Sequence, residues 1–226
     1  MGEVFDFLKT EGLLSLDKTI AALLFEGTQY PWEALCELSD FIIKLGEQLP
    51  KDKYIQLEKD IWVAKNAKIA KSASLAGPLI ICENAEIRHC AFIRGNAIVG
   101  AGAVVGNSTE LKGSVLFDKV QVPHYNYVGD SILGYKAHMG AGSITSNLKS
   151  DKTVVFISVA GEKINTGRKK LGAIVGDRVE VGCNSVLNPG TVIGRDSTVY
   201  PLSMVRGFVP KSSIYKSQGE IVDKKR

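Results

Sequence analysis

From Val63 onward the apolar positions fall on a beat of six. Val63, Ile69, Leu75, Ile81, Ile87, Ile93, Val99, Val105, Leu111 and Phe117 follow one another at that spacing, and Val175, Val181, Leu187, Ile193, Val199 and Val205 resume it. The fifth residue of nearly every hexad is small or β-branched, as at Ala67, Ala73, Ala85, Ala91, Ala97, Ala103, Ser185, Thr191, Ser197 and Ser203. A helix repeats every 3.6 residues and a strand every 2, so neither carries this pattern. Units of six instead form the short flat sides of a triangular coil, about eighteen residues per turn, with the large apolar and small side chains pointing inward. The pattern predicts a mainly β protein, a single-stranded, left-handed parallel β-helix. Prisms of this kind tend to work where copies meet, so a homotrimer is expected.

The rest of the chain departs from the beat. Residues 1–55 predict a helical N-terminal cap over the open end of the stack. Ser15 followed by Asp17 predicts a helix over 16–25, and Pro31 predicts the start of a second over 32–48, with Leu35, Leu38, Ile42 and Leu45 on one face. The β-helix is expected over 56–210, with a break in the frame at 123–128, because Val128 and Leu133 lie five apart. An insertion at 148–172 is too long for an idle connection. Within it, residues 154–159, Ala160-Gly161 and residues 163–166 predict a projecting hairpin with a basic exit at Arg168-Lys169-Lys170. Residues 211–226 read as a basic tail ending in Lys224-Lys225-Arg226.

Composition narrows the partners. The net charge of +4 is mild and its cations are scattered, which argues against nucleic acid. The opening Met1-Gly2-Glu3-Val4-Phe5-Asp6 lacks a basic and then apolar run, and no stretch approaches eighteen apolar residues. A cytoplasmic protein without a membrane partner is expected. Cys36, Cys82, Cys90 and Cys183 have no CxxC spacing and are expected as buried, reduced thiols. His89, His124 and His138 are 35 and then 14 residues apart, an arrangement that does not gather a zinc site, so no metal is expected.

Candidate chemistry comes from breaks in the corner rule. The second residue of each hexad turns a tight corner and is mostly small: Ala64, Ala70, Ala76, Cys82, Gly100, Gly106, Gly176, Gly182 and Gly194. Arg88, Arg94, Lys112 and Asp118 are charged there instead. Arg94 and Lys112 are eighteen apart and should stack in consecutive coils about 4.8 Å from one another, where like charges repel unless an anion lies between them. The pair is a candidate phosphate or sulfate site; the alternative is two cations solvated at the corner or paired with Glu110 and Asp118. His124 lies in the frame break and is freer for acid–base work than a histidine locked on a coil, although composition alone favours a plain surface role. His89 and His138 fall within regular hexads and are expected to be structural.

The segment His124-Tyr125-Asn126-Tyr127-Val128-Gly129-Asp130-Ser131-Ile132-Leu133-Gly134, followed by Gly140-Ala141-Gly142-Ser143-Ile144-Thr145-Ser146-Asn147, resembles a known signature. It is similar to the acetyltransferase domain of bifunctional N-acetylglucosamine-1-phosphate uridyltransferase/glucosamine-1-phosphate acetyltransferases and of related archaeal sugar-1-phosphate nucleotidyltransferases. Gly167-Arg168-Lys169-Lys170-Leu171-Gly172-Ala173 resembles the archaeal branch. The similarity covers residues 60–210. It implies acetyl-CoA as co-substrate, without a metal for acyl transfer, and a sugar phosphate or nucleotide sugar as acceptor. His124 matches the family's base, Arg94 and Lys112 its sugar-phosphate cations, and Tyr127 and Asn147 its sugar and cofactor contacts. Asn126 and His138 complete the substrate set, with His138 standing where the family has asparagine. Ala141, Cys183 and Pro201 fall where the family contacts acetyl-CoA, and Lys152 and Lys169, with Arg168 and Lys170, are candidates for the CoA phosphates. The family's pyrophosphorylase half has no counterpart in the first fifty residues, so uridyl transfer is not expected of this sequence. The implied activity is N-acetylation of an amino-sugar phosphate or nucleotide-linked amino sugar. The alternatives are acyl transfer to another amine or alcohol, and a non-catalytic trimeric sugar-binding scaffold.

Overall fold

The computed structural model describes residues 5–216 and 219–224; Met1 to Val4 and the Lys225-Arg226 end of the tail lie outside the described residues. The six-residue beat folds as expected into a left-handed parallel β-helix. Each coil lays one short strand on each of three sheets. Face A begins with Ile61–Ala64, face B with Lys68–Ile69 and face C with Ser74–Leu75, and the next coil returns to face A at Leu79–Ile81. The beat residues point inward, so Ile81, Ile87, Ile93, Val99, Val105 and Leu111 are 0–1% exposed. Corners must be small because coils press together there: a Cβ on Gly106 would lie 1.7 Å from the Pro123 carbonyl oxygen in the next coil.

The frame slips elsewhere than the spacing suggested. Gln121–His124 pairs in regular register with Val104–Asn107, so there is no break at 123–128. The missing residue is lost on the short side after Leu111, where Leu116 rather than Phe117 takes the place above Val99. The next coil repeats the loss, with Val128 above Leu111 and Leu133 above Leu116. Both short sides turn through positive-φ residues, Gly113 at 58° and Asp130 at 46°, which tighten the corner. Phe117 is thereby turned outward and buried edge-on against Phe25, with ring centroids 5.8 Å apart.

The inserted hairpin forms as Phe156–Val159 paired with Glu162–Asn165. It leaves face C after Ile144–Thr145 and returns to face A at Ala173–Val175. Regular coils continue past residue 210, since Ser213–Tyr215 pairs with Thr198–Val199, and Ile221–Asp223 then closes that edge in antiparallel fashion. At the opposite end the antiparallel strand Tyr54–Glu58 closes face A. Antiparallel end strands, rather than helices, therefore protect the stack from further pairing at these edges.

The helical segment lies along face A. The outward column of that face, Trp62, Ile80, Ile98, Val115, Ile132, Ile174 and Val192, is apolar and buried. Covering it removes a large apolar area from water at about 25 cal/mol per Å². The cover runs the length of the prism: Phe7 stacks on Phe208 at 4.7 Å, the Ser15 hydroxyl donates to Asp177 Oδ2 at 2.6 Å, and Leu38–Gln48 packs against the first coils. Ser15 thus serves the coil rather than capping a helix, and the expected helix over 16–25 is two 3₁₀ turns, Leu16–Lys18 and Ala22–Phe25. Pro31 opens a further 3₁₀ turn, Pro31–Cys36, in which Glu33 Oε2 accepts from the Gln29 and Tyr30 amides. Of the cysteines only Cys82 is buried, its thiol pushed up to about 12 chiefly by burial; Cys36, Cys90 and Cys183 are exposed because corners and cover face solvent, and all four are free.

Gly46 marks where this cover meets the coil, because a Cβ there would lie 2.3 Å from the Trp62 ring. Gly46→Ala should destabilise the protein by roughly 1–3 kcal/mol in denaturant unfolding, although alanine raises helix propensity by about 1 kcal/mol. An unchanged or higher midpoint would mean that the helix does not bear on Trp62.

Candidate active site

Two corners bound face C, and the nominated residues divide between them. At the corner from face B to face C, His124 is the last residue of Gln121–His124, and its carbonyl accepts from Gly142 N at 3.0 Å. The Ala141 carbonyl accepts from Asn184 N at 2.8 Å, and the Cys183 carbonyl from Leu202 N at 3.0 Å. His124, Ala141, Cys183 and Pro201 therefore form one column up a single edge. The His124 imidazole is exposed, and its position is a strand end rather than a loop, because the coil stays in register there.

Asn126 holds this edge from within. It is 3% exposed, its amide Nδ2 donates to Gly140 O at 2.8 Å and to Ser143 O at 3.1 Å, and its Oδ1 accepts from the His124 backbone N at 3.1 Å. These bonds occupy Asn126 with the fold, so it positions His124 and is not free to meet a substrate.

The corner from face C to face A carries the charges. Arg94 and Lys112 stack in consecutive coils, with the Arg94 amide donating to Leu111 O at 2.9 Å. Each has a carboxylate partner: Arg94 Nη1 lies 2.8 Å from Glu110 Oε1, and Lys112 Nζ lies 3.3 Å from Asp130 Oδ2. Glu110 holds the Arg94 guanidinium still more firmly in its charged form. Asp118 is not a partner, since it turns a different corner and accepts from Ala101 N at 2.8 Å. Tyr127 crosses face C toward this corner, its hydroxyl 2.5 Å from where a Cβ on Gly129 would stand. Burial raises its phenol pKa, aided by Asp130 and Glu110 and opposed by Asn147 and Arg94. The Asn147 amide also bonds Asp130, so Arg94, Glu110, Lys112, Asp130, Tyr127 and Asn147 form one cluster of balanced charge.

Other nominated residues lie apart. His138 faces outward on face B, where its Nδ1 is 2.7 Å from Glu180 Oε2, because the alternation that buries Ala137 and Met139 turns it away from face C. Lys152 and Lys169 are exposed on the insertion. A polar cavity of about 510 Å³ beside the root of the insertion is lined instead by Ser146, Lys149, Ser158, Lys163 and Arg206. A larger apolar cavity of about 810 Å³, between Phe7, the hairpin tip and the last coils, contains none of the nominated residues. Glu110 pairs with Arg94 as the alternative reading of this corner had it, whereas Asp130 escaped the sequence reading although it stands eighteen residues after Lys112, the spacing that identified the Arg94–Lys112 pair.

A family model described as the GMPPB C-terminal domain matches residues 75–171. The "Bifunctional protein GlmU" of Methanococcus maripaludis is 38% identical over 122 residues, 54% of this chain and 29% of that protein. A "Bifunctional sugar-1-phosphate nucleotidylyltransferase/acetyltransferase" of Sulfurisphaera tokodaii is 38% identical over 111 residues, 49% of this chain and 28% of that one. The chain thus spans less than a third of the length of the curated relatives it matches. Among solved structures, a variant of AntD, an N-acyltransferase from Bacillus cereus, aligns with a TM-score of 0.40 at 18% identity, covering 80% of this chain and 89% of that one.

Removal of the Asn126 side chain tests the edge. Asn126→Ala should lower stability by about 1–3 kcal/mol, because buried partners lose their bonds, and should shift the His124 imidazole resonances. A stable variant with unmoved His124 signals would assign Asn126 no positioning role. Over about half its length, the chain is similar to bifunctional sugar-1-phosphate nucleotidylyltransferase/acetyltransferases.

Proposed function

We propose that this protein is an acetyl-CoA-dependent acyltransferase that N-acetylates an amino-sugar phosphate or a nucleotide-linked amino sugar. The observation that carries the reading is the separation of the two corners by face C. The similarity to bifunctional sugar-1-phosphate nucleotidylyltransferase/acetyltransferases supports acyl transfer to a sugar. His124 and the Arg94–Lys112 corner stand on the order of 10 Å apart across that face, at about 3.3 Å per residue, too far for one small acceptor to touch both. Face C is also the open side. Its outward column runs through Phe92, at 42% exposure, Glu110, Tyr127, Ile144, Val186 and Met204, at 59%, and Leu202 at the adjacent corner is 77% exposed. Three prisms joined around an axis through face C bury this column and bring the His124 corner of one protomer beside the cation corner of the next.

In that assembly the acceptor phosphate is gripped by Arg94 and Lys112, with Tyr127 orienting the sugar. The pantetheine arm of acetyl-CoA lies along the column of Ala141, Cys183 and Pro201, where small side chains leave the corner open. The acceptor amine attacks the thioester carbonyl, the amine proton passes to the His124 imidazole, and the tetrahedral intermediate collapses with loss of CoA thiolate, which takes up a proton. Holding amine and thioester in contact lowers the barrier through proximity, and the base adds about 10²–10⁴-fold.

His124→Ala should fold, assemble and bind acetyl-CoA as the unaltered protein does, yet turn over about 10²–10⁴-fold more slowly. Turnover is followed by release of CoA thiol from acetyl-CoA and glucosamine 1-phosphate. Turnover near the unaltered rate in the variant would remove His124 from the chemistry. The shared site makes a second prediction: sedimentation should give three times 24.4 kDa. Protomers lacking His124, inactive alone, should regain measurable activity when reassembled with inactive protomers lacking Arg94 and Lys112, since some mixed interfaces are then intact. Reassembled mixtures that stay inactive would place both groups in one protomer's site.

A further inference from the structure

Asp130 stands where the cation corner meets the root of the insertion. Its carboxylate is 11% exposed and receives Lys112 Nζ at 3.4 Å on Oδ1 and 3.3 Å on Oδ2, while Oδ2 also accepts from the Asn147 amide. Its backbone oxygen accepts from Gly172 N at 2.9 Å, and the Asn147 carbonyl accepts from Leu171 N at 3.0 Å. Leu148 pairs with Lys170 just beyond. Both ends of the insertion and the cation Lys112 are thus joined at one residue. Glu110 differs. Its side chain is 33% exposed, it bonds Arg94, and it has no bond to the insertion among the described residues.

A carboxylate is acceptor-only, with about four lone-pair sites, and Lys112 and Asn147 compete for the charge of this one. An anion that draws the Lys112 ammonium away leaves Asp130 with more charge for Asn147 and strengthens that bond. Displacing Glu110 from Arg94 has no such consequence.

We propose that Asp130 is a positioning residue that couples occupancy of the cation corner to the root of the insertion, so that anion binding at Lys112 tightens the segment 147–172. The inference rests on the reading of that corner as an anion site and adds a regulation to it. The segment includes the hairpin and, through Lys163, one wall of the polar cavity beside its root. Substrate phosphate would therefore set the insertion before acyl transfer begins.

The test is amide hydrogen exchange on the intact protein, with inorganic phosphate as the probe and its binding measured separately by calorimetry. Saturating phosphate should slow exchange at Leu171 and across the insertion by roughly three- to tenfold, the size of one strengthened hydrogen bond. Asp130→Asn is close in shape, and asparagine accepts the positive φ of this position as readily as aspartate. That variant should still bind phosphate but lose the exchange response, whereas Glu110→Gln should keep it. A full response in Asp130→Asn, or none in the unaltered protein despite measured binding, would overturn the coupling alone. Failure of phosphate to bind the unaltered protein would overturn the anion reading and the coupling with it.

Discussion

Successive coils stack at about 4.8 Å, and this spacing decides where every polar group in the molecule can go. Backbone amides of one coil donate to carbonyls of the next, as in Arg94 N to Leu111 O and Gly182 N to Val199 O. A corner side chain must then be small or point outward, since the coil above leaves it no room. Gly106 under Pro123 is the tightest case. Charged residues at corners project into solvent and align along the edges, which is how Arg94 and Lys112 come to share one corner and His124, Ala141 and Cys183 another. The same geometry turns a separation of one coil in sequence into contact in space, and a separation of one side into a gap that the width of the prism imposes.

The three faces have the same backbone and different fates. Face A is apolar and covered by its own N-terminal segment, with Asp177 as the polar anchor: its carboxylate is inaccessible, accepts from Ser15 Oγ and Tyr135 N, and lies 3.6 Å from Arg195 Nε. A buried carboxylate is tolerable only when so partnered. Face B carries Lys68, Glu86, Gln121, His138 and Glu180 outward and belongs in water. Face C is uncovered in the single chain and sets Phe92, Ile144, Val186 and Met204 in one column with Glu110 and Tyr127, and it is the face lying between the two corners that hold the candidate chemistry.

The cation corner is more balanced than two stacked cations suggest. Arg94 and Lys112 each meet a carboxylate, so the phosphate proposed to bind there would exchange one set of charge-assisted bonds for another rather than relieve bare repulsion. The two carboxylates differ in exposure and partners: the Glu110 side chain is a third exposed and meets Arg94, whereas that of Asp130 is 11% exposed and is held by both Lys112 and Asn147. A corner of this kind favours ligands with the right shape as well as the right sign.

The inward side of every coil was legible in the sequence, because burial imposes a six-residue beat on Val63, Ile81, Val105 and Ile193 whatever surrounds them. The hairpin was legible for a similar local reason: β-branched residues flank Ala160-Gly161, a turn in which glycine takes the larger positive φ, 83° at Gly161. The outward columns were not, since they recur only once per coil, every 16 to 18 residues where coils are uninterrupted, and a beat of six averages the three faces together. Only the folded chain showed that face A is covered by its own N-terminus, that Leu116 rather than Phe117 carries the frame, and that Asn126 is spent inside the corner while His138 faces away. Of the candidate site, the residue types and the stacking of Arg94 on Lys112 could be read from spacing. The pairing of Lys112 with Asp130, and of Asp130 with the insertion, required the tertiary structure, because those contacts depend on a corner shortened by one residue and on where a segment of twenty-five residues, 148–172, leaves and rejoins the coil.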